Sequence, residues 1–250
     1  MMKRRLAPAL LLLVLAACAP VGPPPSEGPD LPYAAPEPAL SPQAAAANFA
    51  RVVDRMQPVA RDECRRRLGW GNCDFRIVVD TSPGAPANAY QQLDAGRPVI
   101  AFTVALIAQA RNADELAFVM GHEAAHHILQ HIPREERSAM MGAVVSGAIA
   151  AALGGDPGTI RSAQQAGAAM GAQSYSKDFE LEADALGTVL SYRAGFDPGR
   201  GALFFNRLPD PAGGFMSTHP PNAQRLAVVR RVLAQLRQGG AGGPGLDPDQ

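Results

Sequence analysis

The sequence predicts a mainly helical α+β fold with a small sheet of about three strands set early in the chain. Two patterns carry that expectation. Short β-branched runs separated by turn residues occupy positions 75–103. On both sides of them, apolar residues recur at helical spacing over long stretches. A hydrophobic content of 47% with 18% charged residues excludes a wholly disordered chain.

The elements follow in order. Residues 43–68 are Ala-rich, with Phe49, Val52, Val53 and Met56 spaced for one helix face; Pro58 is expected to break or kink this helix. Residues 75–80 read as a strand closed by Thr81-Ser82-Pro83-Gly84. Residues 88–93 and 98–103 flank Asp94-Ala95-Gly96-Arg97, a hairpin turn. Asn112-Ala113-Asp114-Glu115 has the capping-box form and opens a helix that runs to His131, where Pro133 stops it. Residues 138–172 are rich in Ala and Gly, and 140–153 carry no charge. Ala and Gly give little transfer energy, so close-packed helices or a cover over a cleft are expected there in preference to a membrane helix. Residues 179–192 form a second strong helix, and 220–238 the last.

Three stretches stand outside the core. Lys3, Arg4 and Arg5 precede a short apolar run to Ala17, the form of an export signal over 1–17 and too short to span a bilayer. Its end, Leu15-Ala16-Ala17-Cys18, resembles the bacterial lipobox, which implies cleavage before Cys18 and acylation of its thiol and new amino group. Several acyl chains on one residue anchor stably. Ala19 follows, where an aspartate would signal inner-membrane retention, so the resemblance implies the outer membrane. Residues 18–42 are then a lipidated cysteine and a tether, with nine prolines in 19–42. A single domain fills 43–237, and 238–250 read as a disordered tail. Without 1–17 the chain keeps three more acidic than basic residues, so no nucleic-acid partner is expected. Cys64 and Cys73 are an even pair, and in an oxidising compartment they are expected to form a disulfide.

The chemistry lies in His122-Glu123-Ala124-Ala125-His126. Side chains at i and i+4 of a helix lie one above the other, so two imidazoles can grip one metal ion. Glu123 is placed to take a proton from water polarised by that metal. A catalytic zinc wants a third protein ligand and an open position. No further histidine follows at metzincin spacing. Glu180 and Asp184, again i and i+4, supply the rest: Glu180 as third ligand, Asp184 as acceptor of the free ring N–H of His122. Glu182 sits on another face, where a structural salt bridge is expected. His127 points about 100° away from His126, toward solvent or to a supporting position behind the ligands. His131 has no role legible here beyond helix packing.

Several spaced motifs now coincide. They are Asn88-Ala89, Asp114-Glu115-Leu116-Ala117, Gly121-His122-Glu123 through His126, His131, Glu180-Leu181-Glu182-Ala183-Asp184, and Ser217-Thr218-His219-Pro220 followed by Arg225. In this order, from about Cys64 to Arg225, the chain resembles the gluzincin metallopeptidase family of HtpX, the CAAX prenyl proteases and the BepA-type periplasmic enzymes. It resembles the secreted lipoprotein branch more than the membrane-spanning members. The resemblance implies a gluzincin-type fold and one zinc per chain on His122, His126 and Glu180, with Glu123 as general base. It places His219 over the site, as a hydrogen-bond donor to the transition state or as a fourth ligand of a resting form. Asn88 is expected to hold substrate backbone beside an edge strand.

The expected function is a zinc endopeptidase of the bacterial envelope, lipid-anchored on the periplasmic side, acting on unfolded or unassembled proteins and peptides. The alternative is a non-catalytic assembly or chaperone lipoprotein with a structural metal site. Glu123 separates the two, because a structural site needs no base beside its histidines.

Overall fold

The computed structural model describes residues 37–69, 71–207 and 221–238, without the side chains of residues 174 and 175. The export signal, Cys18, most of the tether, His219 and the tail lie outside the described residues.

Helix α1 (Pro42–Leu68) starts on a Ser41 cap, whose hydroxyl accepts the Ala44 N–H at 3.2 Å, with Pro42 in its first turn. Val52, Met56, Ala60 and Cys64, four residues apart, are its buried stripe. The helix continues through Pro58, so of the break or kink expected there a break is excluded. Pro58 and Asp54, whose carbonyl loses its helical partner, both lie on the exposed face, where water can satisfy that oxygen. The expected Cys64–Cys73 disulfide is present, with Cα atoms 5.7 Å apart. Closing so short a loop stabilises by about 2–3 kcal/mol in the chain-entropy account. It ties the end of α1 to strand β1 (Arg76–Asp80).

β1, β2 (Ala89–Asp94) and β3 (Arg97–Thr103) form one sheet in the order β1-β3-β2, with β1 parallel and β2 antiparallel to β3. Central β3 is buried from Pro98 onward, as a strand covered on both faces must be. The β2–β3 turn is the expected two-residue one. Ala95 (φ 47°) and Gly96 (φ 78°) both lie in the left-handed region, the twist that suits a hairpin, and Asp94 pairs with Arg97.

Helix α2 (Val104–Gln109) leads into α3 (Ala113–Ile128). The Asn112 side chain accepts the Glu115 N–H at 3.0 Å, and Glu115 reaches back to the Arg111 N–H at 2.8 Å. Arg207 then closes on the buried Glu115 carboxylate at 2.6 and 2.7 Å. One boundary differs from expectation. α3 ends at Ile128, Gln130 turns the chain in the left-handed region (φ 57°, ψ 41°), and α4 (His131–Ala152) begins at once. Pro133 therefore opens a helix instead of stopping one; in a first turn its missing N–H has no partner to lose.

Residues 157–178 and the predicted 179–192 helix are a single 37-residue helix, α5 (Pro157–Arg193). α4 and α5 form a hairpin packed backbone to backbone. A Cβ on Gly142 would lie 2.1 Å from the Gly167 carbonyl oxygen, and one on Gly171 would lie 2.2 Å from that of Ser138. The expectation of close-packed helices thus holds, whereas a cover does not: residues 138–172 are absent from the lining of the cleft described below. Among the described residues no helix is long and apolar enough to cross a membrane. Met140, Met141, Val144, Val145 and Ile149 are nonetheless exposed along α4, as is Leu153 just past its end. The chain closes through α6 (Pro198–Ala202), a 3₁₀ turn (Leu203–Arg207) and α7 (Asn222–Gln238). α3 runs through the middle, packed on α1, α5, α6 and β2, with Leu116, Phe118, Met120 and Ile128 fully buried.

Candidate metal centre and active-site cleft

Two glycines let the helices carrying the site approach. A Cβ on Gly121 of α3 would meet the Gly187 carbonyl oxygen at 2.8 Å, and one on Gly187 of α5 would meet the His122 amide nitrogen at 2.8 Å. Any side chain there would force α5 away from α3, since backbone atoms cannot yield as a flexible side chain can. Ser191, one turn on, donates to the Ala117 carbonyl at 3.2 Å and fixes the crossing.

This crossing sets Glu180 opposite the two histidines of α3. His122 Nε2 lies 3.5 Å from Glu180 Oε2, His126 Nε2 lies 3.5 Å from Glu180 Oε1, and the two Nε2 atoms are 3.0 Å apart. Ligand atoms about 2.1 Å from a tetrahedral zinc are about 3.4 Å from one another, so these spacings fit that ion. The donor set, two imidazole nitrogens and a carboxylate, fits it as well. Among the described residues this is the one cluster of His, Cys, Asp and Glu able to hold a metal.

Each histidine is fixed from behind, by different means. His122 Nδ1 donates to Asp184 Oδ1 at 2.9 Å. Asp184 is fully buried and takes two hydrogen bonds from Arg225, each 2.8 Å, while the Arg225 guanidinium lies 3.8 Å from the Phe205 ring centroid. His126 Nδ1 lies 2.8 Å from His131 Nδ1. His131 Nε2 in turn lies 3.1 Å from Glu182 Oε2, and Arg134 donates to both Glu182 oxygens at 2.6 and 3.2 Å.

The electrostatics follow these partners. Burial pulls the His122 pKa down, but the Asp184 hydrogen bond and the Glu180 charge outweigh it and raise the value above that of a free imidazole. Burial and the His122 charge push His126 well below the ordinary value, and the neighbouring His131 adds to the shift. Burial raises the Glu182 carboxyl, yet hydrogen bonds from His131 and Arg134 hold it at about 2. Glu123 points into the cleft. Burial and the Glu180 charge raise its pKa against the pull of His122 and Arg225, and the Gln91 backbone N–H of β2 donates to it.

The cleft has a volume of about 590 Å³. β2 and the segment before it form one wall, with Asn88, Tyr90 and Gln91; Phe179, Phe204 and Phe205 supply apolar surface opposite. Asn88 lines the cleft with an exposed side chain, but its backbone N–H and C=O are both taken by Thr103, at 2.9 Å each. His127 is elsewhere: it donates to the Asn72 carbonyl at 2.7 Å and packs edge-on against Phe75, pinning the disulfide loop. Sequence reasoning missed the placement of His131 beside His126, the double role of Glu182, and the Gly121–Gly187 contact. The +5 spacing of His131 from His126 held no helical signal for the first; the others depend on tertiary contacts.

The chain is 32% identical over 146 residues to the beta-barrel assembly-enhancing protease of Escherichia coli K12, covering 53% of this chain and 30% of that protein. It is 31% identical over 151 residues to the protein of the same name from Yersinia pestis, with the same two coverages. A Vibrio cholerae protein is 28% identical over 208 residues, 75% of this chain and 43% of its own length. The chain therefore spans less than half the length of these relatives. The profile of peptidase family M48 matches residues 46–233, and the chain belongs to that family, whose metallopeptidases use zinc.

Proposed function

We propose that this chain is a zinc-dependent endopeptidase of the bacterial envelope, acting on unfolded or unassembled proteins. The observation that carries the reading is Glu123 facing the same cleft as the converged His122, His126 and Glu180. Zinc held by these three residues would supply Lewis acidity and make a water molecule acidic enough to lose a proton near neutral pH. The remaining work falls to the protein. Glu123 takes the proton from the attacking water and delivers it to the leaving amine. Asp184 and Arg225 hold His122 in the tautomer whose Nε2 lone pair faces the site. Among the described residues β2 has a strand neighbour on one side alone, so its other edge can align an extended substrate by strand addition, with the Asn88 side chain beside it. A folded domain does not offer such a strand, which favours unfolded chains.

The envelope location rests on the export signal and the lipobox-like Leu15-Ala16-Ala17-Cys18, together with the disulfide, a bond rare in reducing compartments. In this reading Cys18 carries the lipid anchor to the outer membrane, facing the periplasm, and His219 acts as a hydrogen-bond donor to the transition state or as a fourth ligand of a resting form.

The test is hydrolysis of an unfolded protein by the zinc-loaded chain. Cleavage should stop when the metal is stripped with a chelator and return on adding zinc. A zinc-loaded chain that cleaves nothing, or cleavage that survives stripping, would overturn the reading.

A further inference from the structure

The two histidines of the centre are oriented by unlike partners. Resting on the zinc reading above, we propose that His131, Glu182 and Arg134 form a positioning relay that fixes the tautomer and ring orientation of His126.

The chemistry runs in one direction. A carboxylate accepts hydrogen bonds and cannot donate. Glu182 Oε2, 3.1 Å from His131 Nε2, therefore requires the His131 proton to sit on Nε2. That leaves His131 Nδ1 as an acceptor. His126 Nδ1, 2.8 Å away, must then carry the proton and donate it, which leaves the His126 Nε2 lone pair facing Glu180 and His122. One carboxylate thus sets two tautomers and aims a lone pair at the metal position. Its own place is set by Arg134, which grips both of its oxygens and also lies 4.3 Å from the centre of the Phe179 ring. His131 stacks on Phe179 with centroids 4.5 Å apart and planes 7° from parallel, so its ring cannot turn freely.

The backbone is built to allow this. On an unbroken helix, a residue five positions after His126 would lie about 140° around the axis, far from its ring. The left-handed Gln130 ends α3 and reverses the chain, so that His131 falls against His126. A non-glycine residue is strained in that region. Arg134 follows His131 by three positions on α4, and Phe179 and Glu182 are three apart on α5, so each helix presents its pair on one face. The result parallels the Asp184–Arg225 pair behind His122, with an imidazole inserted between carboxylate and ligand.

Three variants test the relay: His131→Phe keeps the stacked ring without nitrogen, His131→Asn restores an acceptor near the Nδ1 position, and Glu182→Ala removes the partly exposed carboxylate. Two readouts apply. Zinc affinity is measured by competition with a chromophoric chelator, and the His126 tautomer by ¹⁵N NMR of its ring nitrogens in the metal-free protein. His131→Phe should lose about ten- to a hundredfold in zinc affinity and mix the His126 tautomers, and His131→Asn should recover most of both. Glu182→Ala should also mix the tautomers and weaken zinc binding, and it decides the matter if His131→Phe does not fold. Wild-type affinity with an unchanged His126 tautomer in His131→Phe or in Glu182→Ala would overturn the relay. Absence of zinc binding by the wild-type chain would instead defeat the metal reading, while the tautomer measurement would still judge the relay.

Discussion

Replacing Glu123 by Gln should lower peptide-bond hydrolysis by about 10²- to 10⁴-fold, the usual contribution of a positioned general base. Gln keeps the size and helix propensity of Glu, so α3 and the packing beside Gln91 should persist. Glu123 is not one of the three residues whose donor atoms converge, so zinc content should stay at the wild-type level. The change removes a proton acceptor and little else. Initial rates on an unfolded protein, measured beside zinc content and unfolding midpoint, check it. Loss of zinc would show Glu123 to be a ligand, and full activity would remove it from the mechanism.

Arg225→Met should be the most destabilising single change near the site. Asp184 has no solvent exposure, and Arg225 supplies two of its hydrogen bonds. Removing one partner of a buried ion pair leaves an uncompensated charge and typically costs about 3–5 kcal/mol. That is a large share of the roughly 5–15 kcal/mol that stabilises a domain. Arg225 also bridges α7 to α5 and covers Phe205, so packing is lost with the charge. Replacing both residues, as in Asp184→Leu with Arg225→Met, should recover part of the stability while leaving His122 without its acceptor. Urea unfolding of the single and double variants separates the two effects. A loss under about 1 kcal/mol for Arg225→Met would mean that the pair is not a buried unit.

The parts of this site that were legible in the sequence are those fixed by one helix at a time. His122 with His126, and Glu180 with Asp184, are i,i+4 pairs, and such pairs share a face wherever the helix packs. Capping and turn signals were local too: Asn112 with Glu115, and Ala95 with Gly96. Features that depend on two segments meeting were hidden. Gly187 reads as a weak point of a helix until His122 is found against it. The length of α5 was obscured because residues 157–178 pack on α4 through small residues and so lack an apolar stripe. Pro58 and Pro133 misled for a shared reason: a missing N–H matters little on an exposed face or in a first turn, and neither setting is visible in the residue itself. His131 went unassigned because its partner is reached through the left-handed Gln130, a conformation that glutamine does not advertise.

The central claim is that His122, His126 and Glu180 together hold one zinc ion, and elemental analysis of the purified chain tests it most directly. Wild-type protein should carry about one zinc per chain, as a site with three protein ligands and an open position requires. His126→Ala and Glu180→Ala should each lose most of that metal while remaining folded. Undiminished zinc in either variant would contradict the account.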